Sequence, residues 1–160
     1  MNKLFIDDLV DRMGNELTIL ETDRISAKEQ IIEIEMENKF PMICYEHTDD
    51  SEFDVSIDES KFLNDSTHDG TWILGTNDDE IVFIINLQAV KNKLVIDAFE
   101  VNMDYRGEGF GSNVIATVES VAEHYYKEIS ASPFDVDAGN FWNRLDYLTW
   151  TDEGELVKPL

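Results

Sequence analysis

Cysteine is the scarcest reactive residue in this sequence, which contains only Cys44. A single cysteine excludes an internal disulfide and any metal site built from several cysteines. Cys44 follows Met42 and Ile43 in an apolar run, which is typical of a small core residue. This cysteine usage predicts a reducing, cytoplasmic location.

Basic residues are also scarce, with 12 Lys and Arg against 35 Asp and Glu and a net charge of −23. Such a charge repels nucleic-acid phosphates and anionic membranes, so we expect neither nucleic acid nor a membrane as a partner. It attracts cations, and amines, polyamines, aminoglycosides or a basic protein therefore fit as substrates or partners. The same charge also fits a role in solubility alone.

Long apolar runs and metal-binding spacings are missing as well. No run approaches the roughly 18 apolar residues of a membrane span, and the acidic start does not fit a signal peptide. His47, His68 and His124 show no ligand spacing, so we expect no metal site. The 160 residues fit one domain that buries a substantial core.

Residues 94–126 predict an apolar strand, a glycine-rich turn and a long helix. The strand, residues 94–103, is apolar on both faces, which suits a strand covered on both sides. Alternation predicts two faces, with Val95, Phe99 and Val101 on one and Leu94, Ile96 and Ala98 on the other. The helix begins near Gly109 and carries one apolar stripe, made of Val114, Ile115, Val118, Val121, Ala122, Tyr125 and Tyr126.

The turn at residues 106–112, RGEGFGS, contains three glycines. They permit positive φ, so backbone N–H groups can turn toward the helix N-terminus, where the dipole favours phosphate or another anion. A P-loop is nearly excluded because no lysine follows Gly111, and GxGxxG would need a glycine where Ser112 stands. The remaining pattern is RxxGxG, matched by Arg106, Gly109 and Gly111.

The strand, the DYRGEGFG turn and the helix together resemble the acetyl-CoA-binding signature of the GNAT superfamily of N-acetyltransferases. The downstream order is also similar: a short strand at residues 128–134, a helix at 137–147, and a segment with a turn at 152–154. The first of these would lie parallel to the earlier strand in a right-handed βαβ unit. FWNRLDY, residues 141–147, is similar to the FWxxLGF-type segment that many members carry in that helix.

The resemblance covers residues 71–160 as a cofactor-binding core, and residues 1–70 form a divergent part of the same single domain. Strands at 71–74 and 80–88, joined by tight turns to the strand at 94–103, predict an antiparallel meander that leads into the parallel unit. The implied fold class is α/β (α+β), with a mixed, mostly antiparallel central sheet flanked by helices and a parallel βαβ unit at the cofactor site.

The resemblance implies a site for acetyl-CoA (CoA) at the end of the strand that precedes the turn. Its pantetheine arm would pair with the backbone of Val101, Asn102 and Met103. The other implied cofactor residues are the turn residues Arg106, Gly107, Glu108, Gly109, Phe110, Gly111 and Ser112, together with Asn140. Glu100 is the candidate catalytic base, because GNAT enzymes often hold a glutamate or a water-relaying group near this strand end; the alternative is an ordinary strand carboxylate.

The sequence departs from the family pattern at the expected proton donor. Many GNAT enzymes place a tyrosine in the second helix as an acid toward the departing thiolate, and here Trp142 stands there. Its indole N–H is a donor only and cannot serve as a general acid. Tyr147 matches an aromatic core position of the family, while Asp146 replaces the usual glycine and Met103 a common proline. The proton donor is therefore left unassigned.

The first part of the chain gives weaker patterns. An amphipathic helix is predicted over residues 4–13, closed by Gly14, followed by a short strand at 17–20. Ser26 as N-cap with a glutamate three residues on favours a helix over residues 26–39.

The next segment combines a short apolar run with an acidic stretch. Residues 42–45 suit another strand. Residues 46–70 carry nine acids and a single base and few large apolar side chains, which predicts a mobile or substrate-facing loop region.

Two functions from different classes remain open. The first is an acetyl-CoA-dependent N-acetyltransferase that moves an acetyl group to a primary amine of a cationic small molecule or protein. A homodimer is compatible with this function. The second is a non-catalytic acidic binding protein, either a GNAT-like pseudoenzyme or a decoy that imitates nucleic-acid charge. A decoy has no reason to keep Arg106, Gly109 and Gly111 in register with FWNRLDY, so this register favours the enzyme.

Overall fold

The computed structural model describes residues 1–45 and 57–160, which form a mixed seven-stranded sheet. The strands are β1 (Thr18–Thr22), β2 (Thr71–Asn77), β3 (Glu80–Val90), β4 (Lys93–Val101), β5 (Glu128–Ala131), β6 (Thr149–Trp150) and β7 (Leu156–Pro159). Their order in the sheet is β1-β2-β3-β4-β5-β7-β6. The β4–β5 pair is parallel and the other neighbouring pairs are antiparallel, so the predicted fold class is confirmed.

Helices cover both faces of the sheet. They are α1 (Lys3–Met13), α2 (Arg24–Glu33), α3 (Pro41–Cys44), α4 (Lys61–Asn64), α5 (Phe110–Ala122) and α6 (Val136–Arg144). Side chains of α1, α5 and α6 join one core, and side chains of α2, α3 and α4 join the other. The predicted stripe of α5 lies in the first core, with Tyr125 partly buried. In the described ranges, no helix is long and apolar enough to cross a membrane.

The helix predicted over residues 26–39 is shorter and begins earlier than expected. The N-cap of α2 is Asp23, whose Oδ1 accepts a hydrogen bond from Ser26 N at 2.8 Å, so the prediction of Ser26 as N-cap is wrong. An Asp carboxylate is as good an N-cap as Ser and sits one turn closer to β1. The helix ends at Glu33, and Glu35 takes a positive φ of 56°. By contrast, α1 ends at Gly14 as predicted.

The strand predicted at residues 42–45 is wrong, because this segment is the short helix α3. Pro41 occupies its first position, where the fixed φ of proline suits a helix and its missing N–H costs nothing. Of the predicted acidic loop at 46–70, residues 46–56 lie outside the described residues. The remainder contains α4, in which Phe62 and Leu63 are buried, so this part packs into the core.

A β-bulge interrupts β4 at Asp97. On β3, Asn86 pairs with Ala98 and the next residue, Leu87, pairs with Ile96, so Asp97 has no residue opposite it. Its Oδ2 is hydrogen-bonded to Nδ1 of His68, in the turn that precedes β2. A bulge adds one residue to one strand and reverses the alternation beyond it.

The bulge changes which side chains share a face of β4. Phe99 and Val101 pack against the same core as Leu94 and Ile96, whereas Ala98 belongs to the other core. The faces predicted from uninterrupted alternation are therefore wrong beyond residue 97. Because of this reversal, the side chain of Glu100 points toward α3 and accepts hydrogen bonds from backbone N–H groups of that helix.

Candidate active site

A cleft opens where β4 and β5 separate. Pairing between the two strands stops at Ile96 and Ala131, and Ser132 N donates the last hydrogen bond to Ile96 O at 3.1 Å. Because β4 continues to Val101, no strand within residues 1–45 and 57–160 pairs with its edge beyond the bulge on the β5 side. The cleft has a volume of about 940 Å³ and is lined by residues of β4, the turn, α3, α6 and the loop before α6, including Met42, Glu100, Arg106, Gly109, Phe134 and Trp142.

Asn102 fixes the point where β4 passes into the glycine-rich turn. It is fully buried, its Nδ2 donates to Ile81 O at 2.8 Å, and its Oδ1 accepts from Asp104 N at 2.8 Å. Its backbone N also donates to Val82 O at 2.8 Å. Of the three residues predicted to border the pantetheine arm, Val101 and Met103 line the cleft, and Asn102 is the buried support between them.

The turn presents backbone N–H groups at the start of α5. Gly107 and Gly109 have φ of 82° and 81°, and an added Cβ at either would meet no atom within 4 Å. Gly109 is the N-cap of α5 and offers no side chain to satisfy the first N–H groups of the helix. Free donors, open space and the positive end of a helix dipole fit a phosphate group. The residues present therefore suit the pyrophosphate of a coenzyme A.

Arg106 lies at the mouth of this turn but points back toward β4. Its Nε donates to Val101 O at 3.0 Å and its Nη2 to Glu100 Oε2 at 2.8 Å. Its side chain is 46% exposed, and it lines the cleft. The guanidinium thus holds the turn against the end of the strand. Sequence reasoning placed both Arg106 and Glu100 at the site but missed the ion pair between them.

Glu100 is a buried carboxylate in the wall of the cleft, with only 3% of its side chain exposed. Oε1 accepts from Ile43 N at 2.8 Å, and both oxygens lie 3.1 Å from Met42 N. Burial raises the pKa of Glu100 to about 7, opposed by the two backbone N–H groups and by Arg106. The contacts with α3 join residues 57 and 58 positions apart, and the local sequence, which predicts a strand at residues 42–45, does not indicate them.

Helix α6 forms the opposite wall of the cleft. Ala138, Phe141 and Trp142 line it, whereas Asn140, predicted as a cofactor residue, is exposed and lies outside this lining. Trp142 is 4% exposed, in the position where a tyrosine was expected. Tyr147 is fully buried and its hydroxyl donates to Glu119 at 3.3 Å, so it is the core residue that the sequence predicted.

A tyrosine that sequence reasoning missed does line the cleft. Tyr105 lies in the 3₁₀ turn after β4, and its hydroxyl donates to Glu80 Oε2 at 2.7 Å. This hydrogen bond raises the pKa of Tyr105. Within the described residues, no group of three or more His, Cys, Asp or Glu could hold a metal ion.

These elements define a class of protein, and the sequence comparison agrees with them. The chain matches the Acetyltransferase (GNAT) family over residues 29–147, which is more than half of its length. It belongs to the GNAT acetyltransferase family. A search of the curated proteins gave no match.

Solved structures are similar to this chain in fold. PaiA N-acetyltransferase from Thermoplasma acidophilum, in complex with coenzyme A, is 15% identical, with 88% of this chain and 96% of that chain covered and a TM-score of 0.57. A GNAT acetyltransferase from Staphylococcus aureus Mu50 is 19% identical, with 90% and 99% covered and a TM-score of 0.56. An agmatine N-acetyltransferase mutant in its apo form is 12% identical, with 91% and 100% covered and a TM-score of 0.55.

Some other matches are longer than the region they share. The chain spans 64% of the length of a Pyrococcus horikoshii OT3 protein and 64% of nourseothricin acetyltransferase. Their TM-scores are 0.48 and 0.42. At such identities the likeness concerns the fold.

Proposed function

We propose that this protein is an N-acetyltransferase that moves the acetyl group of acetyl-CoA to a primary amine of a cationic small molecule or protein. The observation that carries the proposal is the convergence of three features on one cleft. These are the unpaired edge of β4, the N–H groups of the turn before α5, and the buried carboxylate of Glu100. Acetyl transfer needs a positioned thioester, a neutral amine and a route for its proton, and each feature suits one of these needs.

The turn and the strand edge would hold the cofactor. Backbone N–H groups of residues 106–112 would bind the pyrophosphate, and the edge at Val101 and Met103 would pair with the pantetheine arm. Asn102 keeps both surfaces in place by tying the end of β4 to Ile81 and to Asp104. When bound, the cofactor supplies an acetyl thioester to the cleft. Backbone donors on β4 would then stabilise negative charge on the carbonyl oxygen.

Glu100 would accept the proton that the acceptor amine loses. It lies in the wall of the cleft, and its pKa of about 7 suits a base that works near neutral pH. Both of its oxygens already accept hydrogen bonds, so we place an intervening water between Glu100 and the amine. Asn140 is proposed as a cofactor contact from the sequence pattern alone, since its exposed position gives it no support from the cleft.

The charge of the protein supports a cationic acceptor. A net charge of −23 concentrates cations near the surface and disfavours anionic acceptors. A neighbour of the same fold is named for acetylation of agmatine, so the fold accommodates such an amine. The cytoplasmic location and the homodimer expected from the sequence remain part of this proposal.

A direct assay tests the proposed function. The purified protein is incubated with acetyl-CoA and a panel of amines that includes polyamines, aminoglycosides and a lysine-rich peptide, and release of free thiol is followed. We expect turnover with at least one cationic amine and little with an anionic amino acid. Glu100→Gln should lower kcat while CoA affinity, measured by calorimetry, stays within about threefold of the wild type. Tight binding of CoA without turnover of any amine would instead indicate a non-catalytic binding protein.

A further inference from the structure

Arg106 touches both the buried carboxylate and the open cleft. Nη2 donates to Glu100 and Nε to Val101 O, while 46% of the side chain remains exposed. Glu100, by contrast, has 3% of its side chain exposed. Arg106 extends from a solvent-accessible turn. Its guanidinium therefore places a positive charge beside a carboxylate that solvent scarcely reaches.

Among the residues that the structure describes, the other groups that face Glu100 offer no second full charge to compensate it. From α3 come the N–H groups of Met42 and Ile43, which are dipoles. From the same helix comes the thiol of Cys44, which stays neutral because burial and Glu100 raise its pKa. On β3 the residue opposite is the apolar Ile84. Arg106 is thus the cation that supports the ionised form of Glu100.

We propose that Arg106 is a positioning residue for Glu100: it favours the ionised carboxylate in the free protein and shares its charge with the pyrophosphate when CoA binds, so that CoA binding is linked to proton uptake by Glu100. This inference rests on the proposed function, because it takes the turn before α5 as the phosphate site. It adds a role for Arg106 that acts through another residue.

The physical reason lies in the charge that the phosphates bring. A pyrophosphate on the turn adds negative charge beside Arg106, whether the guanidinium stays on Glu100 or turns toward the phosphate. Either way the ionised form of Glu100 loses support, so its proton affinity rises. By linkage, protonation of Glu100 must strengthen CoA binding by the same factor. The fraction of Glu100 that remains ionised is then a stronger base, and its pKa lies closer to that of an ammonium acceptor.

The pKa of Glu100 makes the effect measurable. At pH 7 a group with a pKa of about 7 is half protonated, and a rise of one pKa unit adds about 0.4 proton. CoA is titrated calorimetrically into the protein at pH 7 in phosphate and in Tris, which differ strongly in ionisation enthalpy. The dependence of the apparent binding enthalpy on the buffer gives the protons taken up per CoA.

Three proteins separate the contribution of Glu100 from all others. We expect the wild type to take up several tenths of a proton more than Glu100→Gln, whose uptake reports every other group, including the phosphate monoester of CoA itself. Arg106→Gln should resemble Glu100→Gln, because without the guanidinium Glu100 is already largely protonated at pH 7. If Arg106 had only a structural role, Arg106→Gln would bind CoA more weakly. Its proton uptake would still exceed that of Glu100→Gln by as much as the uptake of the wild type does.

The outcomes also distinguish the two proposals. Equal proton uptake by the wild type and Glu100→Gln, with CoA bound tightly by both, would overturn the linkage and leave the acetyltransferase assignment intact. Absence of any CoA binding by the wild type would overturn the proposed function itself. A lower uptake in both variants, with measurable CoA binding in each, would support the linkage.

Discussion

A Cβ placed on Gly111 would lie 3.4 Å from two ring carbons of Phe141 and 3.5 Å from a methyl of Val101. Gly111 belongs to the RxxGxG turn and Phe141 to FWNRLDY, the two motifs that first indicated the family. A methyl at this position would be in ordinary van der Waals contact, whereas a longer side chain would have to enter the space beside the Phe141 ring. The two motifs therefore lie against each other at the head of the cleft.

Gly111→Leu should lower CoA affinity at least tenfold, equivalent to about 1.4 kcal/mol. The leucine side chain has to enter the space between the turn and Phe141, and Gly111 is not in the left-handed region, so the backbone itself is not strained. The measurement is calorimetric titration with CoA, with circular dichroism as a check on folding. The matched control is Gly139→Ala on α6, where an added Cβ meets nothing within 4 Å. A folded Gly111→Leu protein with wild-type affinity would contradict the placement of the cofactor.

Glu100 should make the protein less stable as the pH rises. Its pKa is raised from 4.5 to about 7 on folding, so the folded state binds more protons than the unfolded state between these values. The free energy of unfolding should fall through this window by about 3 kcal/mol relative to Glu100→Gln, which cannot titrate. Urea unfolding of both proteins at several pH values between 4 and 8 measures the difference. A constant difference would mean that Glu100 titrates alike in both states.

Tyr147→Phe should leave kcat unchanged. Its hydroxyl is buried and donates to Glu119, which also accepts from Lys158 Nζ at 2.8 Å, so the carboxylate keeps a partner when the hydroxyl is removed. Burial raises the pKa of Tyr147, which further opposes a role in proton transfer. Steady-state kinetics with the best amine tests this, and Tyr105→Phe provides the comparison at a tyrosine that does line the cleft. A tenfold lower kcat in Tyr147→Phe, with kcat unchanged in Tyr105→Phe, would instead assign Tyr147 a role in proton transfer.

Salt should weaken the use of multiply charged amines. Raising ionic strength from 0.01 to 0.1 M shortens the Debye length from about 30 to about 10 Å, so the attraction of a protein with net charge −23 for cations is screened. We expect kcat/KM for spermidine to fall more steeply than kcat/KM for butylamine, which carries a single charge. Equal salt dependence for both amines would show that the acidity serves solubility and not acceptor capture.

The sequence predicted the part of the site that depends on local patterns. The glycines of the turn, the stripe of α5 and the strand before them are visible in consecutive residues, and each is observed. The contact of Glu100 with Met42 joins residues 58 positions apart and depends on α3 being helical. The four residues of α3, which begin with proline, are too few to show helical periodicity. The carboxylate that accepts hydrogen bonds from the N–H groups of this helix belongs to Glu100, on another element.

The faces of β4 were beyond prediction for a different reason. Alternation assumes that every residue of a strand has a partner, whereas Asp97 is an extra residue held by His68. Nothing in the composition of residues 94–101 marks the extra one. The register of β3 against β4, which only the folded sheet defines, decides on which side Glu100 lies.

The bulge at Asp97 also determines which kinds of sequence change this protein can tolerate. A substitution of Asp97 removes its hydrogen bond to His68 but leaves the number of residues in β4 unchanged. A deletion of that one residue would restore regular pairing and leave Phe99 and Glu100 on their present faces, because the residues that remain already alternate along β4. The bulge therefore accommodates one surplus residue, and a single deletion at this position should be tolerated better than a deletion elsewhere in β4, which would keep the bulge and exchange the two faces beyond it.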